Sequence, residues 1–196
     1  MSRIEASAKI PLSRLMMGTL PHLIFEKHQR ALVEWIALKM FVIDCDRPFG
    51  PAFKQESRKA FYARREIPDN LKIDLFRHDD DIWTAQFRRF ATMVEIGAEA
   101  ADLPIIYRNT QSLAFGVGYL LIFAFHSDII KLPLDPKPAV SRRLWPAPEG
   151  IISWPPVVTL SGDDADAVSE IVKDHITRRF GIPAQRPNSR ETRTPS

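Results

Sequence analysis

A chain of 196 residues is long enough to bury one good hydrophobic core and too short for two. Its 45% hydrophobic and 26% charged residues place it among folded globular proteins, away from the disordered and membrane classes. A net charge of +3 is compatible with nucleic acid without requiring it. A single cysteine excludes an internal disulfide and any zinc site built from cysteine pairs within the chain. A reducing, cytoplasmic setting is the simplest one.

Residues 1 to 22 read as a partly ordered leader without clear period. The segment carries Arg3, Glu5, Lys9 and Arg14, and its apolar stretch from Leu15 to Leu20 is too short for a secretory signal. From Leu23 to about Asp44 the pattern turns helical and leaves little room for polar residues after Trp35, so this helix is expected in the middle of the fold. Glu34, Lys39 and Asp44 interrupt it long before the ~20 apolar residues that a membrane span requires. No membrane partner is expected. Cys45 ends this run between Asp44 and Asp46, and is expected as a small buried side chain.

"DRPFGP", residues 46 to 51, is a turn or loop by its prolines and glycine. A short helix follows over about Ala52 to Arg65 and stops before Pro68. Leu71, Ile73 and Leu75 alternate with Lys72 and Asp74, the pattern of a half-buried strand. "RHDDD", residues 77 to 81, turns into a second alternating stretch built on Trp83, Ala85 and Phe87. That alternation breaks at Arg88-Arg89, where a bulge or strand end is expected. Ile96 to Pro104 reads as a connection or a helical turn.

"SLAFGVGYLLIFAF", residues 112 to 125, is the clearest strand signal. Gly116 and Gly118 can supply the positive torsion of a tight turn, which predicts a hairpin of Thr110 to Phe115 against Tyr119 to Phe125. A nucleotide-binding glycine loop would need a third glycine opening a helix, and the chain continues as a strand instead. From Lys131 to Pro156 prolines impose extended or polyproline geometry. Trp145-Pro146 and Trp154-Pro155 mark this segment as a strap over the core. Ser161 then caps a closing helix, with Asp163, Asp164 and Asp166 near its start and Arg178 and Arg179 near its end. Residues 183 to 196 have no apolar content to fold with and read as a disordered basic tail.

The chemistry offered is thin. His78 to Asp81 are four possible metal ligands in a row, yet consecutive residues in a turn rarely converge on one ion, and a solvated hairpin turn is the expectation. His126 with Asp128 at a strand end could orient a proton. No catalytic residue, metal site or cofactor is assigned. The basic candidates are Arg88, Arg89, Arg142 and Arg143, close to Trp83, Phe87 and Trp145. Arginine beside aromatic rings on a sheet is one way of holding single-stranded nucleic acid.

The order of "EWIALKM", "FYARREIPDNLKIDLFR", "AFGVGYLLIFAF" and "ISWPP" before an acidic-capped helix resembles the region downstream of the HNH motif in bacterial HNH-endonuclease-like proteins of unassigned role. The likeness covers about Glu34 to Ile171, and "WPP" with its following helix is its most specific part. The paired cysteines and His-Asn-His set of such proteins would lie before Trp35, where residues 1 to 34 hold neither cysteine nor asparagine. What the resemblance implies is therefore a non-catalytic accessory or interaction module, free-standing or left by truncation of a mobile-element protein. Its partner would be DNA or another protein. The alternatives are a small enzyme using His126 or the His78 to Asp81 turn, and a remnant without present function.

The expected fold is α+β over residues 23 to 182. A central apolar helix packs on a small antiparallel sheet of three or four strands, with a Trp-Pro strap and a C-terminal helix.

Overall fold

The Ser2 hydroxyl accepts from the Glu5 backbone N–H at 3.3 Å, and the Glu5 carboxylate accepts from the Ser2 N–H at 3.0 Å. This reciprocal capping box starts helix α1, Arg3–Met17. The computed structural model of the chain describes residues 2–18, 21–45, 51–92, 109–130 and 137–180. The leader expected to lack a period is thus largely helical. Ile4, Ala8, Pro11 and Leu15 are its buried residues. Their spacing is that of one helix face, hidden in the sequence because two of the four are alanine and proline rather than large apolar side chains.

Helix α2, Glu26–Cys45, packs on α1 and buries Leu32, Val33, Ile36, Ala37, Met40 and Phe41. It is the central helix expected, although its outer face still leaves Val42 53% exposed. Cys45, expected inside, is exposed at its end. Helix α3, Gln55–Arg64, stands beside α2 through Phe61, whose ring lies 5.1 Å from that of Phe41.

The main sheet holds β2 (Leu71–His78), β3 (Ala85–Thr92), β4 (Thr110–Val117), β5 (Leu120–Ser127) and β6 (Ser141–Trp145) in the order β3-β4-β5-β2-β6. A short β8 (Thr159–Leu160) runs parallel to β2, and every other pairing is antiparallel. Among the described residues the sheet therefore has six strands instead of three or four. The two not expected, β6 and β8, come from the proline-punctuated stretch and its end. The rest of that stretch supplies β7 (Ile152–Trp154), which pairs with β1 (His22–Ile24) in a separate antiparallel ribbon. Both Trp-Pro bonds are cis. Trp154 is buried and Trp145 half-buried, so the tryptophans do cover the core.

Helix α4, Gly162–Phe180, closes the fold from the other face of the sheet. Ser161 caps it as expected: its Oγ accepts from the Asp164 N–H at 3.2 Å. The result is α1, α2 and α3 on one face, the sheet, and α4 on the other. Leu71, Ile73, Leu75, Leu113 and Ile122 face the three helices. Phe76, Ala114, Leu121, Phe123 and Phe125 face α4. β2, expected to be half-buried, is therefore covered on both sides, and so is β5, none of whose residues is exposed. Apolar surface covered on both faces contributes about 25 cal/mol per Å² removed from water, which explains the nearly unbroken apolar run of β5.

The hairpin β4-β5 has Val117 opposite Leu120, a two-residue turn of Gly118 and Tyr119 with Gly118 at φ +56°. The hairpin expected is present, but its turn lies one step on: Gly116, expected to supply positive torsion, is paired with Leu121 inside β4, and Tyr119, expected in the strand, is in the turn. β3 differs more. Its register against β4 runs without a shift from Ala85 to Thr92, so no bulge or strand end occurs at Arg88-Arg89. The irregularity lies instead between Ile73 and Asp74, where β2 meets β6. Trp83, expected in the strand, sits in a 3-10 turn (Ile82–Thr84) before it. β2 and β3 are not neighbours, so the His78 to Asp81 turn joins no hairpin.

No helix among the described residues is long and apolar enough to cross a membrane. The expectations for Asp46 to Gly50, Ile96 to Pro104 and the tail from Pro183 fall outside the described residues.

Candidate functional site

A buried polar cluster closes one end of the sheet. At its centre Asp44, on the last turn of α2, is 1% exposed. Its Oδ1 accepts the Ala52 N–H at 2.8 Å and its Oδ2 the Phe53 N–H at 3.0 Å. Arg58 of α3 donates to Oδ2 at 2.6 Å, and Arg89 of β3 approaches Oδ1 at 3.5 Å and Gln111 Oε1 at 3.3 Å. A carboxylate out of water needs such partners, and removing one of them leaves it short of donors in a dry site. Arg58 also donates to the Cys45 sulfur at 3.2 Å.

His126 lies in the same layer, opposite Gln111 on β4 and Leu71 on β2. Its ring stacks on Phe53 with centroids 3.9 Å apart. Nε2 is 3.9 Å from Asp128 Oδ1, and neither ring nitrogen has a hydrogen-bond partner among the described residues. Burial holds the imidazole below its ordinary pKa, against the pull of Asp128. Asp128 itself is taken by Asn70 at 2.6 Å and Lys54 at 3.2 Å. The ring is thus packed on Phe53 and opposite Gln111, with its charged form disfavoured by burial.

The His78 to Asp81 turn diverges. His78 is fully buried and kept below its ordinary pKa by that burial. Asp79 is exposed. Asp80 accepts the Ile82 and Trp83 N–H groups at 2.8 and 3.1 Å, capping the 3-10 turn. The solvated turn expected thus has its histidine inside the core, because β2 continues through His78. Among the described residues no group of three or more His, Cys, Asp or Glu could hold a metal ion.

The four arginines are brought to separate places, each with internal partners. Arg88 and Arg89 are neighbours in an unbroken strand and so point to opposite faces. Arg88 meets α4: Asp166 Oδ1 at 2.9 Å, Ser169 Oγ at 3.2 Å and the Trp83 ring at 5.2 Å. Trp83 donates its Nε1–H to the same Asp166 oxygen at 3.0 Å. Arg89 goes to Asp44, as above. Arg143 donates to Asp74 at 2.6 Å, and Asp74 is 1% exposed in the middle of β2. Arg142 donates to the backbone oxygens of Ser153 at 2.6 Å, Ser141 at 3.0 Å and Pro138.

Several large apolar side chains stand outward at the hairpin end of the sheet, beside the exposed Asp81 and Thr84. The Gly118 N–H donates to Thr84 O at 3.0 Å and the Tyr119 N–H to Met16 O at 2.9 Å, so the end of α1, the 3-10 turn and the β4-β5 turn meet there. Met17 is 69% exposed, Ile82 72%, Phe87 56% and Tyr119 41%. Ala85 and Phe87 oppose Val117 and Phe115, both only partly covered, and Phe115 touches Trp35 of α2 with ring centroids 6.1 Å apart. The alternation of Ala85 and Phe87 with Gln86 and Arg88 was legible in the sequence; that Phe87 would be left in solvent was not.

No family model, curated protein or solved structure matches the chain.

Proposed function

We propose that this chain is a non-catalytic interaction module, the accessory role that its resemblance to HNH-associated proteins implies, and that its contact face is the sheet corner around Phe87. One observation carries the reading. Large apolar side chains stand exposed together where α1, the 3-10 turn and the β4-β5 turn meet, while the two β3 guanidinium groups are held by Asp166 and Asp44. Single exposed apolar residues are ordinary on a protein surface, but a group of them at one place marks an interaction site. A protein partner accounts for that face better than a nucleic acid does, because phosphate recognition needs outward cations.

A photo-crosslinking amino acid at Ile82, compared with one at the exposed Lys9 of α1, tests the reading in cells that express the chain. A discrete adduct from position 82, absent from position 9 and lost in a Phe87→Ser background, is expected. Equal labelling from both positions, or none from either, overturns it.

A further inference from the structure

We propose that the concavity between the start of α1, the middle of α2 and the end of α3 binds a small phosphate ester, whose phosphate group is held by Arg3 and Arg65. It lies at the opposite end of α1 from Met17 and does not rest on the reading of the Phe87 corner. The concavity has a volume of about 360 Å³ and is lined by Arg3, Ile4, Ser7, Glu34 and Arg65. Sites for small molecules usually fall between about 300 and 1,000 Å³.

The charges on its walls do not balance. Glu34 is the one carboxylate there, and Arg30, one turn earlier on α2, already holds it at 2.8 Å. Nearby, Glu5 is taken by Lys39 at 3.1 Å and Glu66 by Arg64 at 2.5 Å. The Arg3 guanidinium makes no hydrogen bond or ion pair among the described residues, and that of Arg65 stands 5.5 Å over the Phe61 ring. Two guanidinium groups from different elements are thus left without a carboxylate on one concave surface. Each presents the planar fork of donors that matches an oxyanion. A phosphate monoester brings about −1.5 to −2 charges on one group near neutral pH, enough for both cations, whereas a carboxylate answers only one. The buried Ile4 on the same wall offers apolar surface to the organic part of the ester.

The backbone of Arg65 points the same way. Its φ of +59° is the one positive value outside glycine among the described residues, at the position after α3 where helices commonly place glycine. The Arg30 guanidinium donates to the Arg65 carbonyl oxygen, and the Arg65 N–H donates to Phe61 O at 2.9 Å. An arginine is therefore fixed where glycine would sit without strain, and residues held so by their surroundings cluster at functional sites.

The test uses the full chain in chloride buffer at constant ionic strength. Isothermal titration calorimetry with phenyl phosphate should show saturable binding at one site, with inorganic phosphate weaker and succinate about tenfold weaker or more. Arg3→Gln and Arg65→Gly should each weaken phenyl phosphate about tenfold or more. Lys9→Gln, exposed on the same helix, should leave it unchanged. Arg65→Gly should keep a thermal midpoint at or above that of the parent, because glycine takes a positive φ freely. Absence of saturable phenyl phosphate binding overturns the proposal, as does succinate or inorganic phosphate binding as tightly. So does parental affinity in either arginine variant, or a loss in Lys9→Gln as large as theirs, which would mark diffuse attraction. A lowered midpoint for Arg65→Gly overturns it too, since Arg65 would then serve the fold.

Discussion

Arg58 Nη2 lies 2.6 Å from Oδ2 of Asp44, and the Asp44 side chain is fully buried. The same carboxylate holds the Ala52 and Phe53 N–H groups, so this ion pair fastens the approach to α3 against the end of α2. Replacing Arg58 by methionine leaves the carboxylate with fewer donors in a dry site. We expect a loss of about 3 kcal/mol, read as a lower urea midpoint with an unchanged slope. A loss below about 0.5 kcal/mol would mean that water replaces the guanidinium at no cost.

Arg143, half-buried, and the buried Asp74 provide a second pair, in the body of the sheet. Arg143→Met alone should cost about 3 kcal/mol, and Asp74→Val added to it should recover most of that, since an apolar pair avoids desolvation of both charges. A double-mutant cycle in urea measures the coupling. Additive losses would show that the pair contributes nothing as a pair.

Gly116 is required by a close approach. A Cβ built there would lie 2.0 Å from the Trp83 backbone oxygen, so Gly116→Ala must push the 3-10 turn away from β4. A destabilisation of about 2 kcal/mol or more is expected, with a change in tryptophan fluorescence as Trp83 is displaced. A variant as stable as the parent would refute that contact.

Stability should fall on mild acidification. Burial holds both His78 and His126 below the ordinary value of 6.5, so the unfolded chain binds protons that the folded chain refuses. Their contribution is complete above about pH 6.5 and is lost as pH falls from there toward the lowered folded values, at up to about 1.4 kcal/mol per pH unit for each histidine. Urea midpoints at pH 7.5, 6.0 and 5.0 should decline, and His126→Phe should flatten the slope. A midpoint indifferent to pH over that range would contradict the buried, neutral rings.

Cys45 is exposed, so native protein should react with a thiol reagent as completely as urea-unfolded protein. Protection of the native thiol would return Cys45 to the core position that its apolar neighbours suggested.

The α2 and α4 helices and the β4-β5 hairpin were legible in the sequence because each is written locally: an apolar run of helical length, an acidic cap at Ser161, and Gly118 between two strand-forming runs. The stretch from Lys131 to Pro156 was not, because prolines describe local stiffness and say nothing about which neighbour the extended pieces join. The candidate site was legible only in fragments. Phe87 was read in the apolar row of a strand and for its arginine neighbours, whereas the exposed corner also includes Met17, Ile82 and Tyr119, which are far apart along the chain.

By itself the sequence determined the class of fold, the period of most elements and the caps and turns that delimit them, since these depend on residues within one or two turns of each other. Only the tertiary structure decided the fate of the charges. Arg88 and Arg89 look alike on paper, yet one is held by Asp166 and the other by Asp44, 78 and 45 positions away. A strand of period two sends neighbours to opposite faces, and what waits on each face is set by elements that the chain brings there only on folding. The same holds for His78, polar by composition and buried by position, and for Phe87, apolar by composition and left in solvent on β3.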